Sequence, residues 1–251
     1  TFSWEDQRPA IFRGLIAYEY IRALAKDVHA MDKLMMANAT PIRLCWLAPW
    51  LDVMGTETDW HRSGKWQPMS DAELLYRRSL CGPKPYCFLM NTDFDSFSHD
   101  LVEKYMQRAV AYGMFPGFFS ANAATGHYFK RPELYNRDRS LFLKYVPICR
   151  RLAQAGWRPI TAAWSSQPRV YVERFGTRYL TVFNDSSAPV EVDITCAGPV
   201  PQAGRELLSG RAVTWGPVAK TPAGVAGATC HLRLAGEDLA VLDTAAAGEG
   251  H

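Results

Sequence analysis

Carboxylate and amide side chains follow four short apolar runs of the chain, at the point where each run ends. Run by run, these residues are Asn38 and Thr40; Thr56, Glu57 and Asp59; Asn91, Asp93 and Asp95; and Asn122 with His127. The aromatic residues interleaved with them are Trp60, Phe94, Phe97, Tyr128 and Phe129. Two carboxylates can cleave a glycosidic bond, one protonating the leaving oxygen and one supporting positive charge at the anomeric carbon, while aromatic faces stack on pyranose rings. The pattern therefore predicts saccharide binding and glycosidic cleavage.

Glu57 is the first catalytic candidate among these acids. It comes directly after the apolar run 50–54 and its Gly55-Thr56 end, and no helix begins within several residues, so a helix cap does not explain it. Asp93 occupies the equivalent position one unit later and is the second catalytic candidate. Any one of these acids could instead cap a helix or pair with an arginine, and Asp95 stands near the start of the next helix. The candidate substrate-binding residues are Asn38, Asp59, Trp60, Asn91, Asp95, Asn122 and His127.

The sequence lacks the motifs that are typical of metal sites, disulfide frameworks, serine hydrolases and nucleotide-binding proteins. His61, His99 and His127 have no HxH or HExxH spacing, and the six cysteines form no CxxC pair, so we predict no metal and no disulfide framework. A GxSxG turn and a glycine-rich phosphate loop are also absent from the sequence, which argues against serine hydrolysis and nucleotide chemistry. We predict no cofactor. His127 lies in a Gly-His-Tyr loop, and two interpretations of its side chain stay open. It contacts substrate, or it forms hydrogen bonds with the backbone alone.

Composition narrows the class of partner. The 251 residues are 48% hydrophobic and 21% charged, with a net charge of +3 and no cluster of lysine or arginine. That balance predicts a globular chain rather than a disordered one. Without a cluster of positive side chains, the sequence predicts no surface that binds the phosphates of a nucleic acid. No apolar run reaches the ~18 residues of a membrane helix. We expect a carbohydrate partner, no nucleic acid and no membrane, and a secreted or periplasmic rather than a cytoplasmic location.

Alternating strand and helix patterns predict the elements that position these residues. An amphipathic helix is expected over 11–33, because apolar residues recur there at spacings of three and four. Strands are predicted at 34–37, 50–54, 86–90 and 114–120, and further helices at 70–81, 98–112 and 137–155. Repeated strand-helix units favour a parallel sheet, whose polar residues gather beyond the carboxyl ends of the strands.

The pattern changes after Trp164. Short runs rich in β-branched and aromatic residues are predicted as strands at 170–175, 179–184, 190–195, 230–234 and 239–243. Glycine, proline, asparagine and serine separate them, as is typical of an all-β sandwich. We therefore predict a catalytic α/β domain over 1–166 and a β-sandwich domain over 167–251.

Five segments carry a resemblance to a known class of enzyme. They are LMMANAT at 34–40, LDVMGTETDW at 51–60, FLMNTDF at 88–94, GMFPGFF at 113–119 and AGWRPITA at 155–162. Together with the strand-rich region that follows, they resemble the later half of the catalytic barrel of bacterial glycoside hydrolases and the C-terminal β-sandwich that such enzymes often carry. The resemblance implies an α/β fold that is the C-terminal half of a TIM-type β/α barrel, strands five to eight, followed by an all-β sandwich.

The resemblance also implies roles. Glu57, at the sixth strand, matches the acid/base position of barrel glycosidases whose nucleophile is an Asp on the fourth strand, which this chain lacks. In the other large group the nucleophile is a Glu at the seventh strand, where this chain has Asp93. A half barrel has an unpaired edge and an open interior, so the missing half or a homo-oligomer is the expected partner. A non-catalytic carbohydrate-binding or scaffold protein, and a transglycosylase, remain alternatives.

Overall fold

The computed structural model describes residues 2–119, 127–201 and 204–244. Its α-helices are α1 (Arg13–Ala30), α2 (Asp71–Cys81), α3 (His99–Ala111) and α4 (Pro132–Ala155), with 3-10 helices at Cys45–Trp50 and Tyr128–Lys130. The first eight strands are β1 (Met36–Ala37), β2 (Val53–Thr58), β3 (His61–Arg62), β4 (Lys65–Trp66), β5 (Tyr86–Met90), β6 (Met114–Phe118), β7 (Trp157–Arg158) and β8 (Ala163–Ser165). The others are β9 (Val170–Phe175), β10 (Tyr179–Asn184), β11 (Val190–Ala197), β12 (Gly204–Glu206), β13 (Ala212–Val213), β14 (Gly216–Val218), β15 (Gly227–Leu234) and β16 (Leu239–Asp243). Across these ranges, none of the helices has the length and apolar character needed to span a bilayer.

The first part of the chain forms a parallel sheet with strand order β1-β2-β5-β6. The connections are the first 3-10 helix, α2 and α3, in chain order. The hydroxyl of Ser70 accepts the backbone N–H of Glu73 at 3.3 Å, which starts α2 where the capping pattern predicts. Ser98 caps α3 in the same way. The predicted parallel sheet is therefore confirmed.

Two boundaries differ from the sequence prediction. The second strand runs from Val53 to Thr58 rather than over 50–54, because the residues before it, which include Pro49, wind into the 3-10 helix Cys45–Trp50. Glu57 consequently lies inside a strand rather than after one. Helix α4 begins at Pro132, earlier than the predicted 137, because a proline at the first helical position costs no hydrogen bond.

The two faces of the parallel sheet are covered differently. Tyr86, Phe88 and Met90 of β5 are fully buried, and they alternate with Cys87 and Leu89, which are only partly buried. Strand β6 repeats this alternation. Because successive side chains of a strand point to opposite faces, one face of the sheet forms core and the other is open. Glu57 is opposite Leu89 in the register and belongs to the open face.

Strands β7 to β16 form two antiparallel sheets, with orders β13-β12-β16-β10-β9-β7 and β14-β15-β11-β8, and β3 pairs with β4 in a two-stranded sheet. Leu180 and Leu242 from the first sheet and Ile194 and Cys230 from the second share one apolar core. The first of these strands begins at Trp157, earlier than the predicted domain start at 167. The molecule is thus a mixed α/β protein with a parallel sheet and antiparallel sheets, and the half barrel remains a prediction.

Candidate functional site

Glu57, Asn38 and Asn91 meet at the carboxyl edge of the parallel sheet, the edge at which β1, β2 and β5 end. Asn38 Nδ2 donates to Glu57 Oε1 at 2.7 Å, and Asn91 Nδ2 donates to Glu57 Oε2 at 2.9 Å. Each oxygen of the carboxylate therefore accepts an amide N–H.

The backbone orients both amides. Asn38 is the first residue after β1, and its Oδ1 accepts the N–H of Ala39 at 2.6 Å and the N–H of Glu57 at 3.2 Å. Asn91 is the first residue after β5, and its N–H donates to the carbonyl of Thr58 at 2.7 Å. The position of an asparagine directly after each neighbouring strand thus aims two side-chain donors at the strand between them.

Glu57 lines two pockets. The first, which we call the arginine pocket, has a volume of ≈ 300 Å³. Its lining residues are Asn38, Ala39, Ile42, Arg43, Thr56, Glu57 and Arg77. The second, which we call the acidic pocket, has a volume of ≈ 360 Å³. Its lining residues are Glu57, Thr58, Asp59, Trp60, Arg62, Gln67, Pro68, Met69, Glu73 and Arg77. Glu57 therefore borders both of these spaces.

Arg77 lines both pockets and was missed by the sequence prediction. Its side chain is 13% exposed, and Nη2 donates to Glu73 Oε1 at 2.9 Å. Burial alone would lower the pKa of Arg77, but hydrogen bonds with Glu73 and Tyr86 raise it above its ordinary value. In the sequence, Glu73 and Arg77 are four residues apart on a helix, a spacing that is typical of a solvated ion pair and gives no sign of a ligand site.

Asp59, unlike Asp93, lines a pocket together with Glu57. Asp59 is half-buried, accepts the N–H of His61 at 2.9 Å, and lines the acidic pocket together with Glu57. Asp93 is exposed, and its carboxylate accepts the N–H of Asp95 at 3.1 Å and the hydroxyl of Ser96 at 3.0 Å, so it closes a turn. No hydrogen bond joins Asp93 to Glu57 in the described part of the chain.

Trp60 lies in the core rather than at the surface. It is 1% exposed, and its ring packs edge-on against Phe88 and Tyr105 with both centroid distances at 5.3 Å. It offers no ring face to a sugar, so the expected stacking role is wrong. Phe94, Phe97 and Tyr128 are buried too, whereas Phe129 remains 51% exposed. The aromatic pattern in the sequence mostly reports core packing.

The other predicted residues lie apart from this cluster or outside the described ranges. Asp95 forms an ion pair with Arg131 at 2.6 Å, and that hydrogen bond lowers the pKa of Asp95. His127 Nδ1 accepts the N–H of Phe129 at 3.3 Å, which is the backbone-bonded alternative. Asn122 falls outside the described residues. Within 2–119, 127–201 and 204–244, no three histidine, cysteine or acidic side chains are grouped so that they could hold a metal ion.

Comparisons with known proteins give structural neighbours only. No family model matches the chain. No curated protein matches it either. Among solved structures it is similar to an α-amylase from Anoxybacillus, at 11% identity and a TM-score of 0.49 over 91% of this chain and 56% of that one.

Two further neighbours are also glycoside hydrolases. A β-L-arabinopyranosidase from Geobacillus stearothermophilus matches at 11% identity and a TM-score of 0.36, over 100% of this chain and 67% of that one. An endoxylanase from Clostridium papyrosolvens matches at 10% identity and a TM-score of 0.40, over 96% of this chain and 62% of that one. This chain thus spans about three fifths of the length of these neighbours. At such scores and identities the likeness assigns neither an activity nor a catalytic residue.

Proposed function

We propose that this chain carries a saccharide site and cleaves glycosidic bonds, with Glu57 as a catalytic carboxylate. One observation supports this most: Glu57 is held by Asn38 and Asn91 at the carboxyl edge of a parallel sheet, and it lines two pockets. The carboxyl edge is where parallel α/β sheets bind ligands, and a fixed carboxylate is the group that glycosidic cleavage needs.

The roles follow from the hydrogen bonds. Glu57 accepts donors at both oxygens, which suits a carboxylate that attacks the anomeric carbon or takes a proton from water. Asp59, which lines the acidic pocket together with Glu57, is the proposed source of the proton that the leaving oxygen gains when the glycosidic bond breaks. Asn38 and Asn91 hold Glu57 in one orientation. In this proposal Asp59 takes the place first given to Asp93.

The test is hydrolysis of a panel of 4-nitrophenyl glycosides by the wild-type chain and by Glu57→Gln. We expect turnover of at least one glycoside, and a fall of about 10³-fold in kcat for the variant, because general acid–base groups contribute ~10²–10⁴-fold. Glu5→Gln is the matched control, since Glu5 is exposed and its carboxylate has no partner in the described residues. Equal turnover by wild type and Glu57→Gln would remove Glu57 from the mechanism.

The exposure of Glu57 favours one second candidate, saccharide binding without chemistry. Glu57 is exposed, whereas catalytic sites usually exclude water around the reacting groups. A chain that binds saccharides with the same affinity before and after Glu57→Gln, and hydrolyses none of the panel, would be a binding protein.

A further inference from the structure

The two pockets beside Glu57 carry opposite charge. In the arginine pocket, the guanidinium groups of Arg43 and Arg77 face one carboxylate, that of Glu57. In the acidic pocket, the carboxylates of Glu57, Asp59 and Glu73 outnumber two guanidinium groups. The formal charge of the lining is therefore +1 in the arginine pocket and −1 in the acidic pocket.

Arg43 has the features of an unused anion-binding group. It is exposed, it lines the arginine pocket, and its guanidinium forms no ion pair or hydrogen bond in the described residues. Most other arginines near this edge are committed: Arg77 pairs with Glu73, and Arg131 pairs with Asp95 and Glu133. The guanidinium of Arg43 therefore remains available beside that of Arg77. Its planar set of N–H donors can bind both oxygens of a carboxylate.

The neutral groups of the same pocket are already engaged. Thr56 donates its hydroxyl proton to the carbonyl of Thr40 at 2.5 Å, and it accepts from the hydroxyl of Tyr86 at 2.8 Å. Asn38 gives Nδ2 to Glu57 and Oδ1 to backbone N–H groups. The donors left for a ligand in the arginine pocket are thus mainly cationic, which selects a negatively charged group over a neutral hydroxyl.

We propose that the arginine pocket binds the carboxylate of a uronic acid residue, so that the substrate is a saccharide containing uronic acid. This inference rests on the proposed function, because it takes Glu57 to be the group that acts on the saccharide. Arg43 binds the uronate carboxylate, while Asp59 and Glu73 in the lining of the acidic pocket disfavour a further negative charge there. The arrangement fixes which way round the saccharide lies across Glu57.

Isothermal titration calorimetry on the full 251-residue chain tests this. The probes are methyl glucuronoside and methyl glucoside of the same anomeric configuration, which differ in the carboxylate, and inorganic sulfate, which is an anion without a sugar. The variants are Arg43→Ala and Arg43→Lys, and the matched control is Arg139→Ala, an exposed arginine on α4 without an ion pair in the described residues. We expect the wild type to prefer glucuronoside over glucoside, and Arg43→Ala to lose about tenfold or more of its glucuronoside affinity.

The outcomes separate this inference from the proposed function. Equal affinity for both methyl glycosides, unchanged in Arg43→Ala, overturns the uronic acid specificity and leaves the saccharide site standing. Binding of neither glycoside by folded protein overturns the saccharide site itself. Sulfate that binds as tightly as glucuronoside and displaces it shows an anion site without sugar recognition, which also overturns the proposal. An intermediate loss in Arg43→Lys, with Arg139→Ala unchanged, supports recognition by the guanidinium fork.

Discussion

The carboxyl edge of the parallel sheet and the buried layer between α3 and the six-stranded sheet use the same residue types in opposite ways. At this layer, which we call the junction, Arg108 is 4% exposed, pairs with Asp185 and donates to the carbonyl of Met69 at 3.0 Å. Glu173 is 7% exposed and accepts from Trp157 Nε1 at 2.6 Å. At the carboxyl edge, Glu57 is bound by two amides and still faces open space.

The difference teaches how to separate structural from functional polar groups. The two named groups of the junction are shielded from water. Losing Arg108, which Asp185 and the Met69 carbonyl hold, should cost stability, whereas neutralising Glu173, whose charge is penalised by burial, should add it. Those of the carboxyl edge are held in position but remain accessible, so their loss should cost activity or binding and little stability. Each prediction below tests one side of that contrast.

The largest effect on stability is expected for Arg108→Ala. The substitution removes the nearest cation from Asp185, which is 17% exposed and keeps Arg169 at 3.6 Å. Breaking a buried pair costs about 3–5 kcal/mol, and we expect a loss near the lower end of that range. Urea denaturation followed by circular dichroism measures the free energy of unfolding. The control is Arg139→Ala at the exposed surface of α4, and a loss as small as that of the control would contradict the structural role.

Glu173→Gln should stabilise the protein in a pH-dependent way. Burial, with a smaller contribution from Asp71, raises the pKa of Glu173 from 4.5 to about 7. Between those values the folded state binds more protons than the unfolded state, so this group lowers stability as the pH rises from about 4.5 to 7. Above pH 7 the full penalty is present, and the uncharged glutamine should recover about 3 kcal/mol of it.

The measurement for Glu173→Gln is the free energy of unfolding at pH 4 and at pH 8. The gain should appear at pH 8 and be small at pH 4, where both states of the wild type are protonated. A gain of the same size at both pH values would mean that packing, and not charge, sets the effect.

Asn38→Asp tests the carboxyl edge, and its expected effect is smaller than those predicted at the junction. The variant keeps the oxygen that accepts from Ala39 and Glu57, but loses the Nδ2 donor to Glu57 and places a second carboxylate beside it. Losing a hydrogen bond to a charged group costs about 1.5–3 kcal/mol, so we expect kcat to fall by about tenfold or more. The unfolding midpoint should stay close to that of the wild type, and a large drop in midpoint would assign Asn38 to the fold instead.

The sequence predicted what short-range patterns determine. Helix α2 begins where Ser70 and Glu73 form the capping pattern. Asn38 and Asn91 follow their strands as predicted and meet Glu57, although Glu57 lies inside its strand. Burial could not be predicted in the same way, because it depends on which elements pack on each side chain. Trp60 looked like a stacking platform but packs in the core, and Arg77 looked solvated but lines both pockets.

The acid that accompanies Glu57 could not be chosen from the sequence either. Asp59 and Asp93 both follow strands, and only the three-dimensional structure distinguishes the one that shares a pocket with Glu57 from the one that closes a turn. Local hydrogen bonds of this kind compete with function at every strand end, and sequence spacing alone does not decide between them.

The most direct test of the central claim is to measure binding and turnover together for Glu57→Gln, using the saccharide that the wild type hydrolyses. Glutamine keeps the shape of the side chain and removes its charge, so Kd should stay within about threefold of the wild type while kcat falls by about 10³-fold. That split would show that Glu57 acts on the bond rather than holding the ligand. Retained turnover, or a loss of binding that accounts for the whole fall in rate, would contradict a catalytic role for Glu57.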